Sequence, residues 1–521
     1  MRNLSGNVRF YYCLTEAAMS VEAELKFRVA PRKLSSLAKA RPAGARRGHR
    51  SEQNLVSTYF DTTKHKLKRN GLTLRVRQAG ENFIQTVKAA TSGALARGEW
   101  EAELDGATPD LAKARKTPLE KLITKKLHQK LKPVFRTSVR RTAQPIRTRR
   151  SEIELAVDHG SITSGHRSKP ISEFELELKD GSPADLFRVA RSFERKTGAE
   201  LDLQSKSEKG YLLAGGGRES ARHAEPIHLD NKLSVSEAFT VIASSTFRHF
   251  ATNADAVRNL DAEAIHQMRV GLRRTRAAIS LFDDVLPRTR TGKIKAELKW
   301  LTGQLAPARE IDVFLEERVS PITKAGPPKR GSRAIQERFA LQRTKAFKGA
   351  SRAVGSPRFR HLLIDLLEWI ETRKAPPDQD RSIGPYAAEL LDRRIRKARK
   401  QGKRLNELSP RQRHKLRIKI KKIRYALDFF ERLYADGDRK EIAQLSSRLK
   451  KVQSALGALN DFMAHRKIAT EAALTAPQAN RRAQAFASGY LVGQEREAAS
   501  GLLNAACDEL QRLCPLTAEP R

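Results

Sequence analysis

The chain has 521 residues, 101 Lys and Arg against 59 Asp and Glu, a net charge of +42 and 39% hydrophobic residues. This length supports two or three packed domains, and the regular period of its apolar residues excludes a disordered basic tail. The charge calls for a polyanionic partner, and the three cysteines have neither the number nor the spacing for a disulfide framework or a zinc module.

Residues 1–19 read as an unstructured extension, because Phe10–Leu14 is too brief for the apolar core of a signal peptide and Met19-Ser-Val-Glu suits a first codon. From residue 20 to residue 215, apolar residues alternate with charged ones. Val21–Phe27 puts Glu22, Glu24 and Lys26 on one face, and Leu72–Arg77 does the same with Arg75 and Arg77. Glu99–Leu104, Glu152–Asp158 and Glu173–Lys179 repeat the pattern. Each segment predicts a strand with one apolar and one charged face.

Some of these faces offer only carboxylates, and others mainly cations (Arg75, Arg77, Lys88, Arg136). Strands closed into a barrel with those faces inward would line one cavity with both. Carboxylate oxygens hold Mg²⁺ or Mn²⁺, while Arg and Lys clamp phosphate oxygens. That combination suits phosphoryl transfer, in which charge neutralisation and positioning do most of the catalysis. No Gly-x-x-x-x-Gly-Lys-Ser/Thr loop is present, so a P-loop nucleotidase is not supported.

The ordered series Glu22-x-Glu24-x-Lys26, Tyr59-Phe-Asp61, Leu74-Arg75-Val-Arg77, Thr86-Val-Lys88, Glu99-Trp-Glu101, Phe135-Arg136, Glu152-Ile-Glu154, Glu173-Phe-Glu175-Leu-Glu177 and Ser205-Lys206 resembles the CYTH superfamily of triphosphate tunnel enzymes. The resemblance implies an eight-stranded antiparallel tunnel with helices, hydrolysing a triphosphate with a divalent metal. Glu22, Glu24, Glu173 and Glu175 would serve the metal, and Lys26, Arg75, Arg77, Lys88, Arg136 and Lys206 the phosphates. Glu99, Glu101, Arg141, Glu154 and Asp158 complete the expected catalytic set. The motif favours Arg141 as the inward residue, whereas parity with Arg136 favours Arg140. Three glutamates at 173, 175 and 177 leave the matching pair open.

A Gly-rich break at Leu213–Arg218 opens a linker over residues 216–230, beyond which apolar residues recur at helical spacing. Here the sequence repeats itself. His266-x-x-Arg269-x-x-x-Arg273-x-x-Arg276 is echoed 148 residues later by His414-x-x-Arg417-x-x-x-Lys421-x-x-Arg424, and Asp312 by Asp461. These markers predict a duplicated helical unit over residues 231–375 and 376–515, with breaks at Pro321–Ser332 and Arg373–Tyr386. At about 100° per residue the four basic positions of each motif share an arc bordering an apolar stripe. No acid interrupts either stripe, so like charges repel along it unless a polyanion is bound. Asp312 and Asp461 read equally well as buttresses beside an arginine.

These motifs resemble the CHAD domain, which implies an all-α region of two pseudo-symmetric bundles with a basic groove for inorganic polyphosphate. The combined expectation is a metal-dependent triphosphatase acting on inorganic tripolyphosphate, with Mg²⁺ or Mn²⁺, joined to a module for long-chain polyphosphate. The alternatives are a non-catalytic protein associated with polyphosphate granules and adenylate cyclase chemistry in the tunnel. Nucleic acid is disfavoured, since no reader motif is present and few aromatics interleave the basic stripes. The uncharged run Ala483–Gln494 is far shorter than the ~20 residues of a membrane span, and a cytoplasmic setting is expected.

Overall fold

The computed structural model describes residues 23–513, apart from 41, 43, 90–97, 218, 326–328, 374–380 and 435–437. Glu22 and the expected extension at 1–19 lie outside the described residues. Two compact units emerge, one reaching to Glu219 and including Leu363–Thr372, the other taking Ser220–Leu362 and the chain from Arg373 onward.

The first unit is built on one antiparallel sheet. Its strands are β1 (Ala23–Arg28), β2 (Arg46–Arg47), β3 (Ser51–Asp61), β4 (Leu72–Ala79), β5 (Asn82–Ala89), β6 (Gly98–Leu104), β7 (Lys132–Arg147), β8 (Glu152–Ser164), β9 (Arg167–Asp180) and β10 (Glu200–Leu201). They run in the order β10-β1-β9-β8-β7-β3-β4-β5-β6, with β2 paired to β7. The eight-stranded closed tunnel is therefore corrected to a ten-stranded sheet. The two additions, β2 and β10, are two-residue pairings, too short to display any alternation. Among the described residues the hydrogen-bonded path ends at β6 and β10 instead of closing. Curling still brings opposite walls together, since Glu24 on β1 and Lys88 on β5 influence each other's charge.

Among the described residues this unit also contains α1 (Leu34–Lys39), α2 (Lys66–Arg69), α3 (Lys125–Lys130), α4 (Pro183–Thr197), α5 (Lys206–Ala214) and the helical segment Leu363–Thr372. Two apolar layers cover the outside of the sheet. Phe27 stacks on Phe174 at 5.0 Å, and Phe174 meets Phe193 of α4 at 5.7 Å. Leu72, Leu74 and Val87 pack with Leu111 and Leu119 from the segment leading into α3 and with Leu127 of α3 itself. Part of the inner face is also apolar. Phe135, Val139, Ile162 and Ile171 there meet Tyr211 and Leu213 of α5. α5 starts with a reciprocal cap between Ser205 and Glu208, which satisfies two otherwise orphaned N–H donors. It lies so close to β7 that a Cβ on Gly210 would stand 2.1 Å from the Phe135 ring.

The second unit is helical among its described residues. It contains α6 (Val235–Ala251), α7 (Ala254–Arg258), α8 (Ala262–Leu281), α9 (Arg288–Phe314), α10 (Ser320–Ala325), α11 (Lys329–Val354), the start of α12 (Pro357–Thr372), α13 (Ile383–Gly402), α14 (Pro410–Phe430), α15 (Arg439–Leu474) and α16 (Arg481–Gln511). Start signals are explicit: Ser234 with Glu237 opens α6, and Ser409, Pro410 and Gln412 open α14. Adding 148 to the bounds of α6, α8, α9 and α11 lands on α13, α14, α15 and α16. Counterparts also pack on each other, α6 on α13, α8 on α14 and α11 on α16. Within the expected break at Pro321–Ser332, α10 continues to Ala325 and α11 resumes at Lys329. α9 runs through a π-turn at Leu315–Val319 directly into α10, and Pro321 sits just beyond that turn, where the helical hydrogen-bond ladder is already shifted.

Candidate active site and polyanion surface

Strand register decides which charges meet. Across β1, β9 and β8, Lys26 lies opposite Glu175, Arg28 opposite Glu173, and Glu173 opposite Asp158. Asp158 is in turn opposite Arg141 of β7. On the other wall, Tyr59 is opposite Arg75, Arg75 opposite Thr86, Thr86 opposite Glu101, and Lys88 opposite Glu99. Directly paired residues share a face, so one interior surface carries Glu24, Lys26, Glu154, Asp158, Glu173, Glu175, Arg141, Arg75, Arg77, Lys88, Glu99 and Glu101. Glu177 shares it too, facing Glu24 on one side and Glu154 on the other.

Lys206, the first residue of α5, anchors the acidic wall. Its Nζ lies 2.7 Å from Asp158, 2.6 Å from Glu173 and 2.7 Å from Glu175. Arg141 donates two 2.7 Å hydrogen bonds to Asp158 and also pairs with Glu175. Burial opposes charge on Glu175, but Lys206 and Arg141 outweigh it and hold its carboxyl well below the usual range. The same exchange raises Lys206, where burial is overcome by Glu175, Asp158 and Glu173. Lys26 donates to the backbone carbonyl of Gln204.

Glu24, like Glu154, makes no side-chain hydrogen bond or ion pair among the described residues. Burial and the neighbouring Glu175 push its carboxyl up, against the pull of Lys26, Lys206 and Lys88. On the cationic wall, Glu99 bridges Arg75, at 3.0 Å, and Lys88. Arg77 has no acid within ion-pair distance among the described residues, and its Nε is buried without a partner. Burial, Arg75 and Arg141 lower its guanidinium to about 10. Asp158, Glu173 and Glu175 can bring three carboxylate oxygens within 4.8 Å of one another.

Arg136 is a correction. It is exposed on the outer face of β7 with Arg140, while Phe135, Thr137, Val139 and Arg141 face inward. Parity was the sound rule applied to the wrong anchor: Arg136 does not face the interior, so its parity with Arg140 carries neither residue there.

In the helical unit, His266, Arg269, Arg273 and Arg276 follow one side of α8. His266 is partly buried, and burial with Arg309, Arg273 and Arg269 lowers its pKa against Glu263. His414, Arg417, Lys421 and Arg424 run along α14. A Cβ on Gly457 would stand 3.4 Å from Nη2 of Arg417, so the glycine makes room for that guanidinium. Arg424 donates to Gln453 at 2.9 Å. Asp312 is a buttress, buried and held by Arg309 and Arg343. The side chain of Asp461 lies outside the described residues.

Family comparison agrees with this division. A model of the CYTH domain matches residues 20–211, and one of the CHAD domain matches residues 241–470. The chain carries a CYTH domain followed by a CHAD domain.

An inorganic triphosphatase of Haemophilus influenzae is 34% identical over 168 residues, 31% of this chain and 47% of that protein. The match thus spans about half the length of that relative. An uncharacterised protein of Mycobacterium tuberculosis is 26% identical over 92% of this chain and 94% of its own. Among solved structures, the CHAD domain from the plant Ricinus communis superposes with a TM-score of 0.50 at 29% identity, covering 58% of this chain and 100% of that one. No described helix is long and apolar enough to cross a membrane.

Sequence reasoning missed several supports of the CYTH interior. Lys209, one turn beyond Lys206, bridges Glu173 and Asp202 at 2.6 Å each. Its i,i+3 spacing from Lys206 was the available signal. Thr86 donates to Glu101 at 3.0 Å, and Tyr59 lies directly opposite Arg75. In the CHAD domain Arg309 joins the cations around His266 from α9, a proximity that no spacing within one helix reveals.

Proposed function

We propose that the CYTH domain hydrolyses a triphosphate, with inorganic tripolyphosphate as substrate, and that the CHAD domain binds long-chain inorganic polyphosphate. The observation that carries the first part is the split interior, with Arg75, Arg77 and Lys88 on one wall and Glu24 and Glu175 on the other. Arg77 is a half-buried cation with no acid within ion-pair distance among the described residues, a state that an entering phosphate chain relieves. Arg75 and Lys88, already tethered by Glu99, are held in place to grip neighbouring phosphate oxygens.

The donor set fits a hard divalent cation, because it is all oxygen. Asp158, Glu173 and Glu175 are all held by Lys206, with Lys209 or Arg141 beside it. Glu24, which has no ion-pair partner among the described residues, would therefore hold Mg²⁺ or Mn²⁺, with Glu175, whose charge it already feels, exchanging a cation partner for the metal. When bound, such an ion neutralises charge developing on the transferred phosphoryl group. A carboxylate of this wall orients a water and accepts its proton as the water attacks the terminal phosphorus. The terminal P–O–P bond breaks, giving orthophosphate and diphosphate. Kinship with an inorganic triphosphatase supports this reading.

The test is release of orthophosphate from tripolyphosphate with either metal, and its absence in Glu24→Ala. Failure to turn over any triphosphate with any divalent metal rejects the enzymatic reading. For the CHAD domain, the two acid-free stripes carry the argument. Competition between long-chain polyphosphate and RNA at fixed salt tests it, since both bindings weaken as salt rises.

A further inference from the structure

α8 and α14 meet through reciprocal contacts. Phe282 and Phe430, equivalent positions of the two repeats, touch each other at 6.1 Å, as residues on a two-fold axis must. Away from that axis each contact occurs twice with its members exchanged. Arg274 of α8 meets Asp428 of α14, and the equivalents of those residues, Lys422 and Ser280, also meet. The fold repeats the geometry, but the sequence changes its charge.

In the first contact, Nη2 of Arg274 pairs with Asp428 at 2.8 Å while its guanidinium lies over the Phe429 ring. In the second, Lys422 Nζ donates to Ser280 Oγ at 2.7 Å, and among the described residues it has no acid within ion-pair distance. Arg394 of α13 reaches the same spot and donates to the Ser280 carbonyl at 3.0 Å, with its Nε buried and unpartnered. Arg276 and Lys295 add their charge, while Asp283 is held by Lys295 and Asp284 by Tyr386. Burial, Arg394, Lys295 and Arg276 all weaken the hold of Lys422 on its proton. A cation pressed among cations is a place for an anion.

We propose that a phosphate chain follows Arg269, Arg273 and Arg276 along α8, crosses Ser280 and continues onto Lys422 and Arg394, whereas the reciprocal path beyond Arg424 is closed by Asp428. The inference rests on the polyphosphate reading of the CHAD domain and deepens it: the two basic stripes are unequal, and only one crosses between repeats.

The experiment measures binding of long-chain inorganic polyphosphate to the full chain over a salt series. Ser280→Asp gives Lys422 the partner that Arg274 already has. It is expected to weaken binding several-fold and to reduce the slope of log K against log salt by about 1. Asp428→Ser, the mirror change, is expected to hold or raise affinity, and Lys422→Arg to preserve it. Equal affinity and slope in Ser280→Asp and the unaltered protein would overturn the asymmetric path. So would equal losses in Ser280→Asp and Asp428→Ser. Absence of binding in the unaltered protein would instead reject the polyphosphate reading itself, and this path with it.

Discussion

Lys206 stands 2.7 Å from Glu175, with Asp158 and Glu173 equally close, so one helix-borne ammonium neutralises a carboxylate cluster contributed by two strands. Replacing Lys206 by Met strands buried acids, a change that typically costs about 3–5 kcal/mol. Chemical denaturation should show that loss at neutral pH. The depressed carboxyl of Glu175 contributes stability present above the usual carboxylate pKa and lost as pH falls through its lowered value. The gap between Lys206→Met and the unaltered protein should therefore narrow in acid. A gap constant across pH would mean that the cluster is not what Lys206 stabilises.

Glu24 has the opposite sign. Its carboxyl is raised, so the folded state binds its proton more readily than the unfolded chain, and stability falls as pH rises from the usual value to the raised one. Glu24→Gln is expected to raise the melting temperature at neutral pH, to lose that advantage in acid, and to abolish turnover. Adding Mg²⁺ or Mn²⁺ should stabilise the unaltered protein more than the variant. Equal metal responses would remove Glu24 from the metal site.

Arg136 and Arg141 lie on opposite faces of β7. Arg136→Ala is expected to change stability by no more than about 0.5 kcal/mol and to leave turnover intact. Arg141→Ala should lose turnover, since it deprives Asp158 and Glu175 of a partner. Parallel steady-state kinetics decide between the two residues, and matching losses would contradict the assignment of faces.

Gly210→Ala inserts a methyl where the Phe135 ring already lies. Such overpacking typically costs about 1–3 kcal/mol. Because Lys206 is one turn away on α5, turnover should fall as well. Adding Phe135→Leu should recover part of both losses. A second change that recovers neither would show that α5 does not depend on this contact.

His266 is held below its ordinary pKa by burial and by Arg309, Arg273 and Arg269. A bound polyanion screens those cations, so an NMR titration with long-chain polyphosphate should move the pKa upward. An unmoved titration would place the chain elsewhere.

Much of this arrangement was legible because strand alternation is strict. Parity puts Arg75 with Arg77, and Glu173 with Glu175, on the charged face of their own strands, and the register across β9, β8, β7, β3 and β4 sets those faces on one side of the sheet. Parity needs a correct anchor, however, and Arg136 supplied a false one. Contacts between elements distant in sequence, such as Lys209 with Asp202, or the α5 helix against Phe135, leave no periodic trace. The helical repeat was visible because four basic positions recur in order. The exchange of Asp428 for Ser280 was not, since it has meaning only once α8 and α14 are seen to touch.

That like helices meet like, α6 with α13, α8 with α14 and α11 with α16, makes the helical unit the architecture of a homodimer written on one chain. In two identical subunits every contact would occur in matched copies, and a serine on one side would be a serine on the other. Fusion lifts that constraint. A duplicated gene can place an acid at one copy of a contact and withhold it from the other, which no symmetric pair of separate chains can do.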